Sequence, residues 1–106
     1  MPVTISIKEN SHLARLAAWK LNARSVAIVF GSTIHLWKVD KETFLQNRRW
    51  LAHEIEHIRQ YQRLGFFGFL WQYIRESIRN GYQNNCFEVE ARKAEDQAIP
   101  EDFLIL

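Results

Sequence analysis

The first apolar positions alternate with polar ones: Val3, Ile5 and Ile7 are separated by Thr4, Ser6 and Lys8, the two-residue period of a half-buried strand. Asn10 or Ser11 then offers a cap for a helix running to about Asn22, with Leu13, Leu16, Ala17 and Leu21 as its apolar stripe. Residues 25–30 and 33–39 are β-branched and aromatic runs separated by Gly31 and Ser32, which predicts a hairpin. From Asp40 the period lengthens to that of a helix. Asp40 or Thr43 caps it, Phe44, Leu51, Ile55, Ile58 and Gln62 mark one side, and Gly65 ends it. Residues 66–80 carry Phe67, Leu70, Trp71, Ile74 and Ile78 at helical spacing before Gly81 stops them. A membrane-surface helix is one reading of this aromatic-rich piece; core packing explains it with fewer assumptions. A last helix begins near Asn85 and runs to about Gln97, with Pro100 beyond it.

These elements describe an α+β chain with a small three-stranded sheet and about four helices. At 106 residues, 47% of them hydrophobic, residues 1–106 are expected to form a single domain with a core of its own. The formal charge is only +2, without a long single-sign run, which argues against nucleic acid as a partner. Arg59 with Arg63 and Arg75 with Arg79 are spaced four apart and read as solvated faces paired with Glu56 and Glu76, in preference to a phosphate-reading surface. The single cysteine, Cys86, excludes an internal disulfide and fits a reducing compartment. No apolar run approaches the roughly 18 residues of a membrane span and no leader-like start is seen, so a cytoplasmic protein without a membrane partner is expected.

The chemistry lies in the helix before Gly65. His53, Glu54, Ile55, Glu56 and His57 read H-E-x-x-H, and residues four apart on a helix share a face, so both imidazoles can reach one metal ion with Glu54 beside them. Only about 0.01 such matches are expected by chance in a chain of this composition. Imidazole suits Zn2+, and a catalytic zinc site takes three protein ligands and leaves a position for water, whose proton a neighbouring carboxylate can accept. His53, His57 and Tyr61 form a side distinct from the core stripe. A third ligand is needed.

That ligand is sought in Cys86-Phe87-Glu88-Val89-Glu90-Ala91-Arg92. Together with H-E-x-x-H, this segment resembles the gluzincin zinc metallopeptidases, whose downstream helix carries Glu-x-x-Ala-Asp; residues 88–91 match the first four places. The resemblance implies a zincin-like fold, of the size of the single-domain minigluzincins, with an edge strand over the metal helix. It implies a hydrolase in which His53, His57 and Glu88 hold zinc and Glu54 is the general base for hydrolysis of a peptide or protein substrate. Glu90 and Cys86 remain alternative ligands. Glu88 also has a purely structural reading, as the partner of Asn85 in a helix capping box. The family's Asp is replaced by Arg92, so another carboxylate or a backbone carbonyl must orient the first imidazole, or the metal is held less tightly.

The resemblance further implies that the strand over the metal, residues 33–37, offers an unpaired edge to an extended substrate. Tyr82 and His35 are weak candidates for stabilising an oxyanion. The apolar tail, residues 99–106, either covers the active site, keeping the enzyme latent, or forms a partner contact, or packs as core. The rival function is a catalytically silent zinc-binding interaction module; a nucleic-acid-binding domain is a more distant one.

Overall fold

The alternating start becomes strand β1 (Val3–Lys8), with Ile5 fully buried and Thr4 exposed. The computed structural model describes residues 3–99 and 103–105; its contacts divide into one unit of residues 3–48 with 103–105 and another of residues 49–99. Residues 100–102 and 106 of the apolar tail lie outside the described residues.

In the first unit Ser11 caps α1 (His12–Leu21), its hydroxyl accepting from Ala14 N at 3.3 Å, and Asn22 ends the helix in the left-handed region at φ 54°. The packed face of α1 is made of alanine. Ala14 and Ala18 are buried against Val26, with Ala17, Ile28 and Trp37 around them. The expected leucine stripe is wrong except for Ala17: Leu13, Leu16 and Leu21 are 38%, 60% and 46% exposed. Trp37 and Ile28 fill the space between helix and sheet, so only side chains as small as alanine allow the close approach.

Strands β2 (Val26–Phe30) and β3 (Thr33–Trp37) form the expected antiparallel hairpin, with Gly31 supplying φ 70° at the turn. The sheet order is β2-β3-β1-β4. The hairpin docks on β1 through its second strand, pairing Ser6, Ile7 and Lys8 in parallel with Thr33, Ile34 and His35. β3 is therefore an interior strand, paired with β2 along its length and with β1 over residues 33–35, and not the free edge that the sequence reading expected; among the described strands the edges belong to β2 and β4. The fourth strand, β4 (Phe103–Ile105), was not anticipated. It runs parallel to β1, opposite Val3, Thr4 and Ile5, and so gives this part of the tail a place in the sheet.

Asp40 caps α2 (Lys41–Gln46), accepting from Thr43 N at 2.8 Å, and Phe44 is fully buried. The single helix expected from Asp40 to Gly65 is divided at Asn47, whose φ −88° and ψ 89° are not helical. α3 (Arg48–Leu64) follows and buries Leu51, Ile55 and Ile58 as the pattern predicts.

The second unit is helical. Gly65 (φ 79°, ψ 160°) and Gly81 (φ 78°, ψ 165°) both occupy a backbone region that is essentially reserved for glycine, the first opening α4 (Phe66–Asn84) and the second breaking it where the sequence placed a stop. α5 (Cys86–Ala94) follows. The three helices meet at an aromatic cluster, in which the Phe69 ring lies 4.4 Å from Tyr61, 5.1 Å from Phe87 and 5.6 Å from Tyr73. Of the stripe expected of α4 only Leu70 is half-buried; Phe67, Trp71, Ile74 and Ile78 are exposed, while Phe69 is buried and Tyr73 and Ser77 face α5. The polar needs of α5 fix this rotation: Asn85 Nδ2 donates to Tyr73 O at 3.1 Å and to Ser77 Oγ at 2.9 Å, bonds that would be lost if the helix turned its other face inward. Among the described residues no helix is long and apolar enough to cross a membrane.

The alanine face of α1 gives a direct test. Ala18→Leu should overpack the contact with Val26 and cost about 1–3 kcal/mol, whereas Leu16→Ser should change stability by no more than about 0.5 kcal/mol. Urea titration of both variants checks this, and the reverse order would place the packed face at Leu16.

Candidate metal centre

α3 presents His53, His57 and Gln60 along one side, spaced four and three apart. α5 brings Glu88 to them. Its start is fixed from two directions. Asn85, fully buried, caps the helix by accepting from Phe87 N at 2.8 Å while its amide ties it to α4, and Glu76 accepts from Cys86 N at 3.1 Å. Gln60, also fully buried, donates to Phe87 O at 3.1 Å and to Glu90 Oε1 at 2.8 Å, which joins α5 to α3. The capping box is thus only half present. The Asn85 backbone N–H donates to Tyr82 O at 3.3 Å, so Glu88 is not needed as its acceptor and turns to the imidazoles instead.

His53 Nε2 and His57 Nε2 converge on a single oxygen of that carboxylate, Glu88 Oε1, at 3.0 and 3.2 Å. The second oxygen accepts from the Tyr73 hydroxyl. Donor atoms of His53, His57 and Glu88 all lie within 4.8 Å of one another, so the three residues together can offer a metal ion two nitrogens and an oxygen.

The far nitrogen of each imidazole is held as well. His53 Nδ1 is 2.7 Å from Glu95 Oε2, and His57 Nδ1 is 2.8 Å from Gln60 Oε1. Both amide hydrogens of Gln60 point at groups that only accept, so its oxygen must be the atom facing His57, and His57 Nδ1 is the donor. The Glu95 carboxylate imposes the same arrangement on His53. Each ring therefore carries a hydrogen at Nδ1 and, as the imidazolium, a second at Nε2 that it donates to Glu88; giving up that second hydrogen leaves Nε2 free to bind a metal ion. Arg49 in turn holds Glu95 Oε1 at 3.2 Å and pairs with Asp96.

The electrostatics follow from burial and these contacts. Burial lowers the affinity of His53 for a proton, but the bond to Glu88, the Glu54 charge and the bond to Glu95 outweigh it and raise its pKa to about 9. His57 is raised too, against its burial, by the bond to Glu88 and by the charges of Glu54 and Glu88. For Glu88 burial favours the neutral acid, yet the bonds from His53, His57 and Tyr73 and the His57 charge hold it well below the usual carboxylate range. Glu54, 5% exposed, is pushed up to about 7, chiefly by burial and also by the Glu88 charge, against the attraction of His57 and His53 and a bond from Trp50. Tyr73 is raised far above the usual phenol range, first by burial and then by the Glu88 charge. Tyr82, 42% exposed, is raised to about 12 by burial and by the charges of Glu88 and Glu54.

The residues singled out in the sequence are thus separated into groups. His53, His57 and Glu88 are brought together and Glu54 lies within electrostatic reach of all three. Glu90 is engaged by Gln60 and by Arg63 at 3.3 Å. Cys86 is exposed, and burial of its thiol together with Glu76 raises its pKa, the opposite of what a thiolate ligand needs. Arg92 bonds to Gln83 O, and the acceptor it does not supply comes from Glu95. His35 belongs to the first unit, where its Nδ1 lies 2.8 Å from Ser11 Oγ. Gln60, Tyr73, Asn85 and Glu95 were missed as parts of the site. Two of these left a signal: Gln60 stands three residues after His57, and Glu95 two helical turns after Glu88.

Comparisons with known protein families, with curated proteins and with solved structures find no match to this chain.

The pKa shifts fix how stability should depend on pH in chelator-treated protein. His53 is raised on folding, so its contribution is complete below about 6.5 and fades as pH rises through about 9, and His57, raised as well, acts in the same direction. Glu54, also raised, loses its contribution as pH rises through about 7, whereas Glu88, depressed, contributes above about 4.5. The thermal midpoint should therefore peak between about pH 4.5 and 6.5 and decline toward pH 9. A midpoint that climbs steadily across that interval in calorimetry would contradict the assigned contacts.

Proposed function

We propose that the chain is a zinc-dependent peptidase of the gluzincin type, with His53, His57 and Glu88 as ligands, Glu54 as general base and a zincin-like catalytic unit. The observation that carries this reading is the convergence of two imidazole Nε2 atoms, each with its Nδ1 held, on one oxygen of Glu88. The donor set fits the ion. Bonds of about 2.0–2.1 Å in a tetrahedral site put neighbouring ligand atoms about 3.3 Å apart, close to the 3.0 and 3.2 Å that separate the nitrogens from the Glu88 oxygen.

Zinc bound to these residues would acidify a water molecule and polarise the carbonyl of a peptide bond. Glu54 supplies the proton chemistry. Its pKa of about 7, set by burial, lets it accept a proton from water and return it to the leaving amine near neutral pH. Tyr73 and the start of α5 hold Glu88 in place, while Glu95 and Gln60 fix the ligand nitrogens. Tyr82 keeps its proton at neutral pH and stands near the Glu88 and Glu54 charges with its ring partly in solvent, where its hydroxyl can donate to charge developing on the substrate oxygen.

Elemental analysis separates binding from catalysis. Wild type and Glu54→Gln should each carry close to one zinc per chain, His57→Ala and Glu88→Ala should lose it, and Glu54→Gln should hydrolyse a peptide library about 100 to 10,000 times more slowly than wild type. Zinc retained by Glu88→Ala would remove Glu88 from the ligand set. Zinc in the wild type without hydrolysis would replace the peptidase by a catalytically silent zinc-binding interaction module.

A further inference from the structure

α4 is organised for two different surroundings. Its inner side carries Phe69, Tyr73 and Ser77, engaged with the aromatic cluster, Glu88 and Asn85. Its outer side carries Phe67, Trp71, Ile74 and Ile78, which are 81%, 66%, 46% and 80% exposed. At helical spacing these four fall within an arc of about 60° and extend over about 17 Å of the helix. Arg75 and Arg79, both exposed, follow along one border of that arc. Glu76 is the only acidic residue in the helix sequence, lies on the opposite side, and accepts from Cys86 N at 3.1 Å and Asn80 Nδ2 at 3.2 Å. The Arg79 charge reaches it, but its bonds direct it toward α5.

Core packing, the sequence-level explanation for these apolar residues, does not apply to the four outer ones. A contiguous row of large apolar side chains in water points to an interaction surface, and its border defines the occupant. Two cations beside the stripe and no carboxylate among them call for a surface that is apolar inside and anionic outside. A second copy of the chain would bring the same stripe and the same arginines, with no acidic partner for them. A bilayer interface containing anionic lipid has both properties, and aromatic residues with arginine are the composition of helices that lie in that interface. We propose that α4 docks this protein flat on an anionic membrane surface, with Phe67, Trp71, Ile74 and Ile78 entering the headgroup boundary and Arg75 and Arg79 meeting lipid phosphates.

Sedimentation of the full chain with extruded vesicles tests this. Binding should be at least about tenfold tighter to phosphatidylcholine vesicles containing about 30% phosphatidylserine than to phosphatidylcholine alone, and should weaken as salt is raised. It should fall about tenfold or more in Trp71→Ser/Ile78→Ser and in Arg75→Gln/Arg79→Gln; circular dichroism establishes that both variants fold, as exposed positions allow. No association with either vesicle, or association unchanged in both variants, would overturn the proposal. So would a dimer in analytical ultracentrifugation that disappears in Trp71→Ser/Ile78→Ser while wild type ignores vesicles, since the stripe would then join copies of the chain.

Discussion

Glu88 is a buried carboxylate that must stay ionised, and much of the second unit is arranged to make that tolerable. Removing a carboxylate from water is costly unless its oxygens are hydrogen-bonded or it faces positive charge. Here one oxygen accepts from both imidazoles and the other from Tyr73, while its place in the first turn of α5 sets it at the positive end of the helix dipole. The same contacts that stabilise the charge also bring three donor atoms into the compass of one metal ion. Stability and the grouping of these donor atoms are therefore coupled at this residue.

The coupling extends outward through residues with no reactive chemistry of their own. Gln60 uses its amide oxygen to hold His57 Nδ1 and its two amide hydrogens to hold α5, so one side chain sets both the orientation of His57 and its distance to Glu88. Asn85 caps α5 and grips α4 in the same way. Because α4 must offer Tyr73 and Ser77 to these partners, Phe67, Trp71, Ile74 and Ile78 on its other side face outward. The exposed stripe is thus a consequence of the polar requirements of the centre, and its arginine border suggests how that exposure is used.

The two glycine breaks, the caps at Ser11, Asp40 and Asn85, the hairpin and the H-E-x-x-H helix were legible in the sequence because each depends on local chemistry: a backbone region only glycine enters, an oxygen placed to meet a free amide, a four-residue repeat. Glu88 was legible through its resemblance to a known ligand pattern. Faces were harder to read. Leucine outranks alanine in hydrophobicity, yet α1 packs through Ala14 and Ala18 because the sheet beneath it is already filled by Trp37 and Ile28. Strand order was hidden because the pairing of β1 with β3 and β4 depends on contacts distant in sequence, and a period-two pattern looks the same at an edge and in the interior. Glu95 was hidden because the family pattern puts the acceptor one turn after Glu88, where this chain has Arg92, whereas the carboxylate that holds His53 stands on the next turn of the same face.

The most direct test of the central claim is X-ray absorption spectroscopy at the zinc edge of the metal-loaded protein. The account requires two imidazole nitrogens and carboxylate oxygen in a shell near 2.0–2.1 Å, with no sulfur. A zinc–sulfur shell near 2.3 Å, or scattering from a single imidazole, would contradict a centre built from His53, His57 and Glu88.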